Sequence, residues 1–297
     1  MTFSNRLKSI TIKAFMGGEW KVAYRLKTEL DGQYNVVEMP EGTCIADPFL
    51  YEADGEHYLF VELYDNKKNI AGIGCYQFID RVPVFKGKII ENSYHMSYPC
   101  VFSYKGQHYM IPETSANQTV ELYRAEDFPM KWKKVSNLIT GERYVDTSVV
   151  KQGDSYFAVS YKKNEHGWSL DAFSLDMENN QMTKLGSKTY KTNTGRPGGG
   201  FICGENLERP AQNCASKYGE NLIIYKIDQL DGIGYEEHEV GKVTVHDIPM
   251  KSAPNRVHTY NQDSLYECVD VYFEKIDMLH GLKTLWRAYL RNLLSRK

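Results

Sequence analysis

The sequence predicts an all-β fold, a five-bladed β-propeller closed by an N-terminal strand, with a C-terminal amphipathic helix after it. Hairpin units that alternate apolar and polar residues recur with a period of roughly 50 residues. A single strand pattern, Trp20 to Leu26, stands before the first full unit. The chain of 297 residues has room for about four to five such units. A two-sheet β-sandwich is the alternative that these patterns leave open.

The first strand pattern is expected to complete the last blade, because a strand supplied from the N-terminus seals the ring without an unpaired edge. The first full unit begins at Ala46, turns at Asp54-Gly55 and returns through Tyr58 to Glu62. The second unit aligns with it on the turn glycines without a gap. The alignment matches Asp47 with Tyr98, Pro48 with Pro99, Gly55 with Gly106, Tyr58 with Tyr109 and Glu62 with Glu113.

Three further units follow with decreasing regularity. The third begins at Val145 and returns through Tyr156 to Ser160. The fourth is looser and spans residues 196–227, and the fifth would use Tyr235 to Val245 with Arg256 to Phe273, which leaves it short of a strand. The predicted propeller therefore covers residues 1–273.

Residues 274–297 change to a helical period and predict a basic amphipathic helix. Its apolar residues recur on one face, and lysines and arginines occupy the rest. This face could pack on the propeller rim, or it could dock on a membrane surface or a partner protein.

Composition narrows the classes of function. The net charge is −2 and the pI is about 6.5, so no overall field attracts nucleic acid. The sequence contains neither a secretory leader pattern nor an apolar run long enough to span a membrane. The six cysteines form no C-x-x-C pair, which favours reduced thiols. We therefore expect a cytoplasmic protein, peripheral at the inner membrane face if the helix docks there.

Acidic residues recur where the predicted blades open onto one end of the axis. Asp47 and Asp146 begin innermost strands, and Glu62 and Glu113 end second strands, which run back to the same rim. A pair of carboxyl groups can act as general acid and base on a glycosidic bond. These residues therefore predict a catalytic site, with Asp47, Glu113 and Asp146 as its candidates.

Substrate contacts are expected from the residues at the corresponding openings of the blades. The candidates are Glu62, His95, Tyr98, Arg196, Arg209 and Gln212. An arginine and an amide suit an anionic or hydroxylated ligand. Structural roles are the alternatives: Asp47 as a turn residue before proline, Glu113 as a salt-bridged rim residue, and His95 as a strand cap.

The sequence predicts neither a cofactor nor a metal cluster, and an axial Ca²⁺ held by carboxylates and water stays open. The run Gly198-Gly199-Gly200 lacks the Gly-Lys-Ser/Thr ending of a phosphate-binding loop.

A set of motifs in the second to fourth units resembles a known family. The motifs are His95-Met-Ser-Tyr-Pro99, Tyr109-Met-Ile-Pro-Glu-Thr-Ser-Ala-Asn117, Val120-Glu-Leu-Tyr-Arg124, Phe128-Pro-Met-Lys-Trp132, Asp146-Thr147, Arg209-Pro-Ala-Gln-Asn213 and Tyr218-Gly219. Together they resemble the five-bladed propeller domain at the N-terminus of plant glucosamine inositolphosphorylceramide transferases. The resemblance covers roughly Trp20 to Leu230.

That family is similar in turn to glycoside hydrolase family 43, and this implies roles for particular residues. An aspartate on the first blade would act as base, one on the second would tune a pKa, and a glutamate on the third would act as acid. Asp47 matches the base position, Tyr98 stands where the second aspartate is expected, and Asp146 stands near the expected glutamate. We put Glu113 forward as a substitute acid.

The resemblance implies a carbohydrate-active propeller of cell-surface glycan or polysaccharide biosynthesis. It would act on a glycosidic bond or a sugar donor, so its ligand would be a carbohydrate or nucleotide sugar. The alternative is a non-catalytic glycan-binding module that holds an acceptor for a partner glycosyltransferase. The C-terminal helix would then dock on a membrane surface or on that partner.

Overall fold

The computed structural model describes residues 16–29, 32–165 and 167–276, and these form five antiparallel sheets that are the blades of a propeller. The chain begins with β1 (Met16–Leu26) and β2 (Asn35–Val36). The first blade contains β3 (Thr43–Ala53), β4 (Glu56–Asp65), β5 (Ile70–Ile79) and β6 (Val82–Ile90). The second contains β7 (Ser97–Tyr104), β8 (Gln107–Thr114), β9 (Thr119–Asp127) and β10 (Lys131–Thr140).

The third blade contains β11 (Val145–Gln152), β12 (Ser155–Asn164), β13 (Gly167–Asp176) and β14 (Gln181–Tyr190). In the fourth blade the innermost position is divided between β15 (Arg196–Pro197) and β16 (Ile202–Cys203), followed by β17 (Leu207–Asn213), β18 (Asn221–Leu230) and β19 (Tyr235–Val243). The fifth blade starts with β20 (Arg256–Gln262) and β21 (Tyr266–Ile276). Single 3₁₀ turns lie at Ser115–Asn117 and Val245–Asp247.

The N-terminal strand closes the ring, as the sequence predicts. Strand β1 pairs antiparallel with β21, with Ala23 opposite Val269, and β2 pairs with β1 at the outer edge. The assignment of Tyr235 to Val245 to the fifth unit is wrong, because β19 is the outermost strand of the fourth blade. The fifth blade is therefore complete once the N-terminus supplies its outer strands. The predicted start of the helix at residue 274 is wrong, because residues 274–276 belong to β21; residues 277–297 lie outside the described residues.

The apolar core is divided among the interfaces between neighbouring blades. Phe60 of the first blade and Met110 of the second are fully buried in one shared cluster, and Ala211 lies in the cluster between the third and fourth blades. A blade has neighbours on both sides, so its strands bury both faces rather than the single inner face of a two-sheet sandwich. Within the described residues, no helix is long and apolar enough to cross a membrane.

A buried carboxylate is held in the same way in two successive blades. In the second blade, Tyr94 donates to Glu121 at 2.9 Å and Lys134 lies 2.7 Å from it. In the third blade, Tyr144 donates to Asp171 at 2.5 Å and Lys184 does so at 2.8 Å. A buried charge is tolerated only when it is paired and hydrogen-bonded. The tyrosine thereby fastens the connection that enters each blade to the sheet of that blade.

Candidate functional site

The innermost strands of the first three blades share a bulge at the predicted site positions. Asp47, Tyr98 and Asp146 have φ values of 47°, 47° and 51°. In each blade the strand register shifts across this residue and the next. A positive φ costs a residue with a Cβ about 1–3 kcal/mol, and such strain collects at functional sites. The bulge turns the side chain out of the ordinary strand alternation, so the three positions are structurally equivalent.

The two glutamates also occupy equivalent places, as the alignment of the first two units predicts. Glu62 pairs across from Ala46, and Glu113 pairs across from Ser97. Each glutamate therefore lies on the second strand, opposite the residue that precedes the bulge. The carboxyl groups accordingly gather at one rim of the propeller.

Asp47 belongs to a buried ion cluster that joins the first and fifth blades. His258 lies between two carboxylates, with Nε2 at 3.3 Å from Asp47 and Nδ1 at 2.6 Å from Asp270. The backbone N–H of Asp47 donates to Asp270 at 3.0 Å. Burial alone favours the neutral imidazole, yet the two carboxylates raise the pKa of His258 to about 10. His258 is therefore an imidazolium at neutral pH, and its positive charge lies between the carboxyl groups of Asp47 and Asp270.

The same three side chains are the residues that could hold a metal ion within the described part of the chain, since their donor atoms lie within 4.8 Å of one another. Calcium prefers a shell of oxygen atoms, whereas this group offers a nitrogen between two carboxylates. The proton on His258 would have to leave before that nitrogen could coordinate a metal. Charge neutralisation within the protein is the simpler role of this cluster.

Glu62 and His95 form a pair nearer the solvent. His95 Nε2 lies 3.0 Å from Glu62, and 42% of the His95 side chain is exposed. Burial raises the pKa of the Glu62 carboxyl, and the hydrogen bond to Glu62 raises the pKa of His95. The structure thus places His95 beside a site carboxyl group.

A second cluster surrounds Asp146 and Glu113. Arg196 bonds Asp146 through Nε and through Nη2 at 3.2 Å, and the same Nη2 lies 3.4 Å from Glu113. Gln212 donates to Asp146 at 2.9 Å, and Ser115 donates to Glu113 at 2.6 Å. Burial, followed by the negative charge of Asp146, raises the pKa of Glu113 well above its usual range. This shift favours the protonated form of Glu113 over that of an exposed glutamate.

Two aromatic residues that were not among the predicted site residues connect the clusters. Tyr218 lies 5.7 Å from the guanidinium carbon of Arg196 and 5.2 Å from the ring of His258. Trp20 packs 4.3 Å from the same imidazole. Burial raises the pKa of Tyr218, and the negative charges of Asp47, Asp146 and Asp270 raise it further. Tyr218 therefore stands between the carboxyl groups of the two clusters.

A glycine beside Tyr218 shows how closely this wall is packed. Gly219 has a φ of 61°, and a Cβ there would lie 2.6 Å from the Cβ of His258 and 2.8 Å from Trp20. Glycine is the residue that tolerates both conditions. The pair Tyr218-Gly219 is one of the motifs of the family resemblance, and it is the sequence signal that could have marked this wall.

Tyr98 occupies the equivalent bulge position, but its side chain is buried and bonds residues of the third and fourth blades instead of lining the site. Its hydroxyl lies 2.8 Å from Ser148, donates to the carbonyl of Gly199 at 2.8 Å and accepts from the N–H of Gly199 at 2.7 Å. The side chain is fully buried. A Cβ on Gly199 would lie 1.9 Å from the carbonyl oxygen of Tyr260. The glycine run thus allows the fourth blade to approach the axis.

The structure does not bring Arg209 and Gln212 to the ligand side of the site. Arg209 is 1% exposed and donates to both carboxylate oxygens of Glu237, at 2.7 and 2.8 Å. It also bonds Tyr190 and the carbonyl of Gly195. Gln212 is fully buried and holds Asp146. Arg209 is therefore a structural residue, and Gln212 positions a carboxylate.

An open groove adjoins the first cluster at the seam between β1 and the first blade. Its volume is about 290 Å³, and Trp20, Ala46, Glu62 and Tyr64 contribute to its lining. A larger cavity of about 440 Å³ lies among Lys21, Tyr34 and Met250 and includes none of the clustered acids. The groove, unlike the larger cavity, is thus lined in part by a residue of the proposed site, Glu62.

Comparison with known proteins places this geometry in context. The family model described as "Glucosamine inositolphosphorylceramide transferase 1, N-terminal" matches residues 20–267. Glucosamine inositolphosphorylceramide transferase 1 of Arabidopsis thaliana is 30% identical over 209 residues, which is 66% of this chain and 27% of that protein. The protein of the same name from Oryza sativa subsp. indica is 28% identical over 204 residues, or 65% and 27%. The chain thus spans about a quarter of the length of these relatives.

Solved structures share the fold at much lower identity. A thermostable family-43 glycoside hydrolase has a TM-score of 0.58 at 11% identity, covering 82% of this chain and 92% of its own. A GH43_1 enzyme from Xanthomonas citri complexed with xylotriose has a TM-score of 0.54 at 10% identity, covering 77% and 86%. These likenesses concern the architecture alone.

Proposed function

The chain belongs to the family described as glucosamine inositolphosphorylceramide transferase 1, N-terminal, and we propose that its propeller acts on a glycosidic bond or sugar donor during glycan assembly. The observation that carries the proposal is that two different carboxyl groups lie at one rim: Glu113, whose pKa is raised, and Asp47, which lies 3.3 Å from His258. Tyr218 stands between their clusters. Carboxyl groups in opposite protonation states are what general acid and base catalysis requires.

In the proposed mechanism Glu113 donates its proton to the leaving glycosidic oxygen as that bond breaks. Asp47 accepts the proton of the attacking hydroxyl group, from water or from an acceptor sugar, as the new bond forms. Arg196 lies 3.4 Å from Glu113 and stabilises the carboxylate that proton transfer leaves behind. His258 lies 3.3 Å from Asp47 and holds this carboxyl group in place.

Asp146 takes the pKa-tuning role in this proposal. Its charge acts on Glu113 and raises the pKa of that carboxyl group. Tyr98, at the second-blade position where the family resemblance would place a tuning aspartate, is fully buried against Gly199. The tuning charge therefore comes from the third blade, and the acid that it tunes lies on the second.

The alternative is a module that binds a glycan and presents it to a partner glycosyltransferase. It is favoured by the limited access to two of the acids, since the side chains of Asp47 and Asp146 are 7% and 1% exposed. In this alternative Glu62, His95 and Arg196 would hold the sugar. We also propose that the chain is cytoplasmic, and that the helix predicted for residues 274–297 docks on a membrane or on the partner.

Two conservative substitutions test the catalytic proposal. Asp47→Asn and Glu113→Gln keep the shape of the side chains and remove the base and the acid. Turnover of a panel of nucleotide sugars and oligosaccharides, followed by mass spectrometry, should fall by about 10²- to 10⁴-fold in each variant. Asp154→Asn, in the turn between β11 and β12 at the opposite rim, is the matched control and should retain activity.

The binding alternative predicts a different pattern. Asp47→Asn and Glu113→Gln would then bind glycans as the unmodified protein does, while His95→Ala would weaken binding. Unchanged turnover in both carboxyl variants would contradict the catalytic proposal.

A further inference from the structure

The groove at the seam of the ring, which we call the seam groove, runs along one side of the ion cluster. Its lining includes Gly18, Trp20, Cys44, Ala46, Glu62 and Tyr64. It lies between β1, which closes the fifth blade, and the first two strands of the first blade. The groove therefore exists only because the N-terminal strand completes the ring at this place.

The seam groove is continuous with the proposed site through two of its own residues. Trp20 packs against the imidazole of His258, and Glu62 bonds His95. Ala46 directly precedes Asp47, the proposed base. The seam groove thus lies directly beside the ion cluster of Asp47.

We propose that the seam groove is a second sugar subsite, which binds a neutral or amino-substituted pyranose ring next to the ring that is processed. This inference rests on the proposed function, because it assigns the groove to the ligand of that site. Its volume of about 290 Å³ suits one ring, since sites for whole small molecules occupy about 300–1,000 Å³.

The lining explains the class of ligand. Trp20 and Tyr64 offer aromatic surface, which stacks on the apolar face of a sugar ring. Glu62 offers carboxyl oxygens, which accept hydrogen bonds from hydroxyl or amino groups. Glu19 adds a second carboxylate, already paired with Lys21 at 3.0 Å and Lys275 at 2.8 Å. Because the lysines neutralise Glu19, Glu62 is the acid that selects the ligand, and its oxygens favour hydroxyl or amino donors over an anionic group.

Close packing at Gly18 and a hydrogen bond from Tyr64 limit the width of the groove. Gly18 lies against the ring of Tyr272, and a Cβ at this position would lie 2.3 Å from that ring. Tyr64 is fixed from the other side, because its hydroxyl donates to Asn69 at 2.5 Å. The aromatic surface is therefore held in place before a ligand arrives, which lowers the entropy lost on binding.

Two variants test the subsite in different ways. Tyr64→Ala removes aromatic surface, and Cys44→Phe fills the groove. Tyr104→Ala is the matched control, because Tyr104 lines a cavity of about 350 Å³ at the opposite rim. The probes are mono-, di-, tri- and tetrasaccharides of neutral, amino and uronic pyranoses, with affinity measured by calorimetry.

The unmodified protein should bind the disaccharide about three- to tenfold more tightly than the monosaccharide, as expected for one added aromatic contact. Tyr64→Ala and Cys44→Phe should lose this gain and bind the monosaccharide unchanged, while Tyr104→Ala keeps it. A gain that survives in both groove variants, a preference for uronic acids, or an absence of binding by any of the probes would overturn the inference.

The outcome is separable from that of the catalytic proposal. If the length dependence is lost in the groove variants but no sugar is turned over by the unmodified protein, the subsite stands and catalysis fails. If Asp47→Asn abolishes turnover while the groove variants keep the length dependence, catalysis stands and the subsite fails.

Discussion

Replacing Arg209 with alanine should destabilise the propeller while leaving the chemistry of its site in place. Arg209 makes five hydrogen bonds, two of them to Glu237, which is buried, and one to Tyr190 of the third blade. Removing one partner of a buried ion pair costs about 3–5 kcal/mol, because the other charge stays buried without compensation. Lys188, whose Nζ is 3.6 Å from Glu237, remains as a partial partner, so we expect the lower end of that range.

The measurement is the free energy of unfolding from urea titrations, with thermal melting as a second readout. For a domain of this size about 1 kcal/mol corresponds to roughly 2–4 °C in Tm, so the melting temperature should fall by roughly 6 °C or more. Arg124→Ala removes an exposed arginine of the second blade and should change the free energy of unfolding by less than about 0.5 kcal/mol. In the double variant Arg209→Met with Glu237→Gln, part of the loss should be recovered, since neither charge is then left alone.

A ligand role for Arg209 predicts the opposite result. The variant would then melt like the unmodified protein and would lose affinity for sugars. That combination would refute the structural account of this residue.

Three further predictions concern charge and backbone. Asp146→Asn removes a negative charge that raises the pKa of Glu113, so the alkaline loss of turnover, which follows deprotonation of the acid, should move to lower pH in a pH–rate profile. The pKa of His258 rises from about 6.5 to about 10 on folding, so its ion cluster should stabilise the protein fully below about pH 6.5. This stabilisation is lost as the pH rises through about 10. Urea midpoints should therefore fall more steeply over that interval in the unmodified protein than in His258→Gln, and equal slopes would contradict the assignment. Gly199→Ala should yield little folded protein by circular dichroism, because its Cβ would lie 1.9 Å from the carbonyl oxygen of Tyr260, and a native spectrum and melting temperature would refute the packing argument.

Much of the fold could be predicted from the sequence, because the patterns that mark strands and turns lie in neighbouring residues. Period-two alternation and turn glycines marked the hairpins of the first three blades. They also fixed the register that matches Asp47 with Tyr98 and Glu62 with Glu113. The boundary between the fourth and fifth blades was missed, because the strand pattern of residues 235–243 is the same whichever sheet it joins.

Several residues of the candidate site could not be predicted from local sequence patterns. His258 and Asp270 carry no motif of their own, and Asp270 lies 223 residues from Asp47, whose N–H it accepts. Arg209 has the composition of a ligand contact, yet its burial depends on Glu237 in another strand of its blade. Tyr218 and Trp20 meet only because closure of the ring brings β1 beside the fifth blade.

The sequence by itself determined the first three blades, the closing strand and the four acids of the rim, since alternation, turns and repeat period are written in neighbouring residues. Only the tertiary structure decided which acids have raised pKa values, which are buried and which face a groove. Those properties depend on burial and on charges contributed by other blades, and the distances between blades are set by the closed ring.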